Sequence, residues 1–139
     1  MSEQAIGAEK LQELITRGAF NRWLSFTVLK CDAGEIEIKA AWREEWVVNP
    51  DRRYTHGGIL AAIIDVAADY AIAAQLGRPV PTIDVRVDYH KAAMPGDLTV
   101  KARVVRMGSQ YSTAEAHVYD KDGALVASGR GTYMTAPPK

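Results

Sequence analysis

The sequence of 139 residues contains one cysteine, Cys31, and no excess of either charge. A lone cysteine cannot close a disulfide within the chain, which favours a reducing, cytoplasmic setting. It also gives no cysteine pattern typical of a metal site. The 17 basic residues balance 17 acidic residues, so the formal net charge is zero. This balance argues against nucleic acid as a partner, because binding to duplex DNA depends on an excess of positive charge.

Signals for a membrane or for export are lacking as well. The N-terminal stretch MSEQAIGAEKLQELITRG is polar and amphipathic, without the apolar segment of a secretory signal. The longest apolar run, ILAAIIDVAADYAIAAQL, is interrupted by Asp65 and Asp69 and makes a poor transmembrane span. We therefore expect a cytoplasmic protein that has no membrane partner.

Length and periodicity predict one domain, over residues 1–139 with its core at about 20–134. Apolar residues recur at helical spacing within residues 8–17, which predicts a short N-terminal helix. In WLSFTVLKCDAGEIEIKAAW, two β-prone runs flank DAGE, a pattern typical of a β-hairpin. Residues 43–55 are charged, contain a proline and predict a loop.

A long helix is predicted at about residues 57–76, ending at Gly77 with Pro79 just beyond. It is apolar almost all the way round, which is too wide an apolar surface for a helix that faces water. Stretches typical of strands follow it, and we expect a three-strand meander whose strands each have one polar face and one core face. The stretches are TIDVRVDY, LTVKARVV, YSTAEAHVY and ALVASGRGTYM.

Together these elements predict an α+β fold. An antiparallel sheet that is polar on one face must cover something with the other, and only the 57–76 helix is long enough. We expect the sheet to wrap around this central helix. The edge strands of such a sheet are open to pairing with another subunit.

Two features of the central helix conflict with a purely structural role. It begins with His56, Gly57 and Gly58, and two glycines weaken a helix start. They also leave no Cβ to keep a ligand from the free N–H groups there, which favour developing negative charge. Asp65 lies inside the apolar helix, where a carboxylate needs either a hydrogen-bonding partner or a purpose.

The order His56-Gly57-Gly58, ILAAII, Asp65 resembles the hotdog-fold acyl-CoA thioesterases, closest to the phenylacetic-acid-degradation (PaaI-like) branch. The resemblance continues through TIDVRVDYHKAAMPGDLTVKARVVRMGSQ and GALVASGRGTYM, and it covers roughly residues 45–134. It implies a hotdog fold, a homodimer or a dimer of dimers (a tetramer), and hydrolysis of the thioester between an acyl group and coenzyme A. It also implies that neither a metal nor a separate cofactor takes part.

The resemblance gives roles to matching residues. The N–H of Gly57 would polarise the thioester carbonyl, and Asp65 of the opposing subunit would attack that carbonyl or activate water. His56 would orient the helix start by hydrogen bonding, although a histidine could also act as a general base. The hydroxyl of Thr82 would bond the water or the acid, although threonine is also simply a common strand residue.

Other candidates are placed less directly. Asn49 would position substrate or water, but it lies seven residues before the histidine, where relatives have six, and Asp51 is a rival. Asp69 follows Asp65 by one turn on the same face, so a supporting role and an interface salt bridge both stay open. Coenzyme A carries phosphates that need cations and N–H donors, for which the strand ends offer His90, Lys91, Arg106, Gly108 and Ser109.

The sequence leaves two other functions open. A hotdog enoyl-CoA hydratase or dehydratase shares the fold and the thioester ligand, but it pairs an acid with a histidine in a pattern that is not found here. A non-catalytic acyl-CoA binding protein is the other, although no DNA-binding region accompanies it as a transcriptional sensor would require. For a thioesterase, the acyl group is either aromatic, such as phenylacetyl, or a short to medium chain.

Overall fold

A computed structural model describes residues 4–32 and 34–138. In these residues six strands form one antiparallel sheet, and three α-helices accompany it. The helices are α1 (Ala8–Ile15), α2 (Ala19–Trp23) and α3 (Gly57–Leu76). The strands are β1 (Phe26–Asp32), β2 (Glu35–Ala40), β3 (Thr82–Tyr89), β4 (Leu98–Arg106), β5 (Tyr111–Tyr119) and β6 (Leu125–Met134).

The central helix α3 has the predicted bounds. It ends where Gly77 adopts a left-handed conformation (φ 81°) and donates its N–H to the Ala73 carbonyl. The helix packs against β2 to β6. Its fully covered side chains are Leu60, Ile63, Ile64, Ala67, Ala68, Ala71, Ile72, Ala73 and Ala74. The predicted hotdog architecture, a sheet around a long helix with a short N-terminal helix, is confirmed.

Small residues let α3 approach the sheet closely. Five of its covered residues are alanines, and β6 has Gly129 opposite the helix. A Cβ on Gly129 would lie 2.7 Å from Cγ2 of Ile64 and 2.5 Å from the Arg86 carbonyl oxygen, so no larger residue fits without movement. By length and composition α3 is apolar enough to cross a membrane, but here it lies at the centre of the fold.

The strand order is β1-β2-β4-β5-β6-β3. The expected meander is β4, β5 and β6, each paired with the next along the chain. The expectation of three strands after α3 is wrong, because there are four. The first of them, β3, lies at the far edge of the sheet and pairs with β6.

The prediction that every strand has a core face is also wrong for β3. Its apolar residues Ile83, Val85 and Tyr89 are 49%, 37% and 55% exposed. As an edge strand, β3 has a neighbouring strand on one side only, and α3 covers it incompletely. An exposed apolar row beside unpaired backbone groups is suited to pairing with another chain.

Two short elements have no counterpart in the prediction. One is α2, and the other is a 3-10 turn at Glu44–Trp46 inside the predicted loop 43–55. Both are too short to give a recognisable apolar period. The 3-10 turn places Trp46 fully inside the core, so this loop is anchored immediately before α3 begins. The N-terminal helix is shorter than predicted and ends at Ile15.

Candidate active site

The start of α3 is organised by His56. Its backbone N–H donates to the Trp46 carbonyl at 2.7 Å, and its side-chain Nδ1 accepts the N–H of Gly58 at 2.7 Å. Its carbonyl accepts the N–H groups of Ile59 and Leu60. Within the described residues, the N–H of Gly57 has no hydrogen-bond acceptor. One N–H at the positive end of a long helix is therefore left free for an oxyanion.

Both glycines lie in close contact with neighbouring rings. The hydroxyl of Tyr89 donates to the Gly57 carbonyl at 2.8 Å, and a Cβ on Gly57 would stand 3.3 Å from the Tyr89 ring. A Cβ on Gly58 would stand 2.9 Å from Nδ1 of His56. The weak helix start thus lets His56 and Tyr89 pack tightly around the free N–H. Tyr89 is a site residue that the sequence analysis missed.

A groove of about 380 Å³ opens beside Gly57. His90 and Lys91 line it, so two of the predicted coenzyme A contacts lie next to the helix start. Both side chains have partners already, since Nε2 of His90 is 2.8 Å from Oγ of Ser128 and Nζ of Lys91 is 3.8 Å from Asp120. A phosphate bound here would therefore compete with Ser128 and Asp120 for these two side chains.

Asp65 lies in the middle of α3 and is half-buried. Its Oδ1 accepts two hydrogen bonds, one from the Thr82 hydroxyl at 3.0 Å and one from the Tyr133 hydroxyl at 3.1 Å. No donor in the described part of the chain binds Oδ2. Thr82 is thus brought to the acid as predicted, whereas Tyr133 was not foreseen.

Asp69 has a structural contact. Its Oδ1 accepts the backbone N–H of Val80 at 3.1 Å, which ties α3 to the segment that leads into β3. Burial raises the pKa of Asp69 to about 7, and the nearby charge of Asp65 acts in the same direction. The interface salt bridge considered for Asp69 needs a second chain and stays a prediction.

Replacing Asp69 by Asn is expected to stabilise the protein more at about pH 8 than at about pH 5. The carboxyl has a pKa of about 7 when folded, against its ordinary value of 3.8, so between these values the folded state holds a proton that the unfolded chain has lost. Stability therefore falls as pH rises through this range. Asparagine is neutral throughout, and its amide oxygen still accepts the Val80 N–H. Thermal unfolding at both pH values measures the difference, and an equal shift at each would contradict it.

The remaining predicted residues lie elsewhere. Asn49 accepts the N–H groups of Asp51 and Arg52 with its own Oδ1, and so shapes its loop. Gly108 donates its N–H to Ser112, and a Cβ there would lie 2.2 Å from the Tyr111 carbonyl oxygen. These contacts are local and bring neither Asn49 nor Gly108 to the acid.

The predicted coenzyme A contacts fall at opposite ends of the sheet within one chain. His90 and Lys91 follow the end of β3, beside Gly57. Arg106 is the last residue of β4, and Gly108 and Ser109 follow it. At this end of the sheet Ser112 pairs with Tyr133, and Tyr133 pairs with Thr82. One chain therefore does not assemble these two groups into a single site.

Gly57 and Asp65 are separated in the same way. They are eight residues apart on one helix, which at about 1.5 Å per residue places them about 12 Å from each other. A thioester carbonyl bound to the Gly57 N–H is thus beyond the reach of the same chain's Asp65. In the described residues, no group of three or more His, Cys, Asp or Glu side chains is placed to hold a metal.

Comparison with known proteins decides the family. The model of the Thioesterase superfamily matches residues 53–127, which include the α3 start, Asp65 and most of the sheet. The chain belongs to the thioesterase superfamily. It is a thioester hydrolase, and the predicted family and fold are confirmed.

Relatives of this thioesterase carry related names. It is 32% identical to "Putative esterase VNG_1336C" of Halobacterium salinarum, over 91% of this chain and 90% of that protein. It is 25% identical to "Medium/long-chain acyl-CoA thioesterase YigI" of Salmonella typhimurium, over 83% of this chain and 84% of that protein. An acyl-CoA thioesterase type of function is therefore supported at the level of the superfamily.

Solved structures agree with the fold. A crystal structure of a protein from the thioesterase superfamily is 47% identical, covers 91% of this chain and 96% of its own, and has a TM-score of 0.89. The PaaI protein of E. coli, from the phenylacetic acid degradation operon, has a TM-score of 0.82 with 96% and 99% coverage. At 20% identity PaaI shows the shared fold alone.

Proposed function

We propose that this protein hydrolyses an acyl-CoA thioester to the free acid and coenzyme A at a site built by two chains. Gly57 of one chain supplies the oxyanion N–H, and Asp65 of the other supplies the base or nucleophile. The observation that carries the proposal is that, within the described residues, the Gly57 N–H has no acceptor and lies about 12 Å along α3 from an acid whose Oδ2 has no donor. Each chain would then supply one half of a hydrolytic site, and a second copy would be needed to join the halves.

The chemistry follows from these two groups. With the thioester oxygen at the Gly57 N–H, the carbonyl carbon is polarised for attack. In the general-base route, Oδ2 of Asp65 takes a proton from water as the oxygen adds to the carbonyl carbon. The C–S bond then breaks, and the thiolate of coenzyme A leaves and takes that proton. In the nucleophilic route, Oδ2 of Asp65 adds to the carbonyl carbon, and the thiolate of coenzyme A leaves as the C–S bond breaks. Water then hydrolyses the mixed anhydride, which releases the free acid and restores the Asp65 carboxylate.

The exposed edge of β3 supports the pairing of two chains. Its apolar side chains and unpaired backbone groups would be covered if β3 met a second β3 about a two-fold axis. An antiparallel meeting sets the Thr82 end of one chain beside the Tyr89 end of the other. Asp65 and Arg106 of one chain then approach Gly57 and Lys91 of its partner. We extend the proposal to a dimer of dimers, with no metal or separate cofactor.

Recognition of coenzyme A belongs to the same proposal. The groove beside Gly57 would take the pantetheine arm, with His90 and Lys91 at its rim. The phosphates would lie between these side chains and Arg106, Gly108 and Ser109 of the second chain. His56 fixes the helix start, and Asp69 and Asn49 support the surrounding backbone.

Two acyl classes fit the proposal, aromatic groups such as phenylacetyl and short or medium aliphatic chains. A relative named for medium- and long-chain substrates favours the aliphatic class, and structural likeness to PaaI concerns the fold alone. Hydration of an enoyl-CoA and binding without turnover are the competing functions. Both would leave the thioester intact, so an assay for thiol release distinguishes either of them from hydrolysis.

Release of free thiol is expected from saturated acyl-CoAs, because only hydrolysis breaks the C–S bond. The screen covers phenylacetyl-, butyryl-, hexanoyl-, decanoyl- and crotonyl-CoA. A thiol reagent measures release of coenzyme A, and absorbance measures loss of the enoyl group of crotonyl-CoA in the same reaction. Loss of the crotonyl absorbance without thiol would instead indicate a hydratase. Binding of these esters with no thiol released from any of them would overturn the proposal in favour of a binding protein.

A further inference from the structure

Tyr133 reaches from the last strand to the central helix. Its side chain is fully buried, yet its hydroxyl lies 3.1 Å from the Asp65 carboxylate and 3.1 Å from the Asp65 carbonyl oxygen. The carboxylate can only accept, so the hydroxyl donates when it binds Oδ1. A buried hydroxyl directed at the half-buried acid of the site calls for an explanation beyond packing, since phenylalanine would fill the same volume.

The sequence makes room for this contact. A Cβ on Gly131, two residues earlier on β6, would lie 2.2 Å from the Tyr133 hydroxyl oxygen, so the ring folds back over a glycine. The register of β3 and β6 pairs Thr82 with Tyr133, which delivers both hydroxyls to the same side of Asp65. Two adjacent strands thus place two donors on one carboxylate oxygen, Oδ1.

This arrangement affects how the acid works. Two donors on Oδ1 restrict rotation of the carboxylate and leave Oδ2 as the oxygen for a water or a thioester carbon. Burial raises the pKa of Tyr133 further above its usual value, with the Asp65 charge adding to the effect, so the hydroxyl keeps its proton at working pH. The Tyr133 hydroxyl is therefore available as a donor to Oδ1 of Asp65.

We propose that Tyr133 is a positioning residue, whose hydroxyl orients the Asp65 carboxylate with Oδ2 toward the thioester. The inference rests on the proposed thioesterase function. It adds a second hydroxyl to the Thr82 contact expected at this acid, from a strand that the sequence analysis did not connect with the site.

The test is Tyr133→Phe, which removes one oxygen and keeps the ring. We expect kcat to fall about ten- to hundredfold, as for loss of a hydrogen bond to a charged group, with little change in KM. Tyr119→Phe, at the other end of the sheet, is the matched control and should keep wild-type values. Thermal unfolding of both variants checks that the fold is intact.

The outcomes separate this inference from the proposed function. If the wild type releases thiol and Asp65→Asn does not, while Tyr133→Phe keeps wild-type kcat, the inference alone is overturned. A rise in KM with unchanged kcat would also overturn it, because that pattern indicates a contact to substrate. If the wild type hydrolyses no acyl-CoA, the proposed function fails and the inference fails with it.

Discussion

Asp65→Asn is expected to keep the fold and to lose about a thousandfold or more in kcat, the range attributed to a general base. Asparagine has nearly the size of aspartate. Its amide oxygen can still accept the hydrogen bonds from Thr82 and Tyr133, which measure 3.0 and 3.1 Å to Oδ1 of Asp65. What it lacks is an oxygen able to take a proton from water or to attack the carbonyl carbon. Substrate affinity should change little, because the Gly57 end of the site is untouched.

Single-turnover and steady-state thiol release measure this loss. Asp88→Asn is the matched control, since Asp88 is an exposed acid on β3 that pairs with Arg86 on the sheet surface. The control should retain wild-type kcat. Wild-type turnover by Asp65→Asn would remove Asp65 from the mechanism, whereas equal losses in both variants would point to a general effect of charge.

The central helix could be predicted because its signals are local. An apolar surface all the way round, a Gly77 stop and a following Pro79 define it without reference to other segments. The DAGE hairpin is equally local, and the structure pairs the two strands that flank it. The position of β3 in the sheet is not determined by a local sequence signal. Its alternating pattern predicted a core face, but a crossover connection put it at the sheet edge, where that face is exposed.

The candidate site likewise combines features that the local sequence predicts with contacts between distant residues. The spacing of Gly57 and Asp65 is visible in the sequence, and so is a hydroxyl at Thr82. The contacts of Tyr133 with Asp65 and of Tyr89 with Gly57 join residues 68 and 32 positions apart. They depend on strand register and on the packing of rings against glycines, and no short-range pattern encodes either. Only the glycine at 131 hints that something large lies over β6.

The structure also accounts for the two carboxylates in an apolar helix. Asp69 accepts a hydrogen bond from a backbone N–H and links α3 to the segment before β3. Burial at this position raises its pKa to about 7. Asp65 is held by two hydroxyls on one oxygen, and its second oxygen is left without a described partner. The first arrangement satisfies an acid, whereas the second leaves one carboxylate oxygen without a described donor, which is the oxygen that the proposed mechanism uses.

Mixing two inactive variants is expected to restore activity. Gly57→Val fills the space beside Tyr89, where even a Cβ would stand 3.3 Å from the ring, and so blocks the oxyanion half. Asp65→Asn disables the other half. If each site takes Gly57 from one chain and Asp65 from its partner, a mixed dimer has one site with both changes and one with neither. Random pairing of equal amounts should then recover about one quarter of wild-type activity.

Co-expression with two different affinity tags allows the mixed dimer to be isolated and its thiol release compared with each variant alone. The expected gain is about a hundredfold or more over either parent, because the parents lack one half of every site. Activity equal to the sum of the parents, in a preparation shown by both tags to be mixed, would place the two groups in one chain. That result would contradict the two-chain site, since about 12 Å of helix separates Gly57 from Asp65 within each chain.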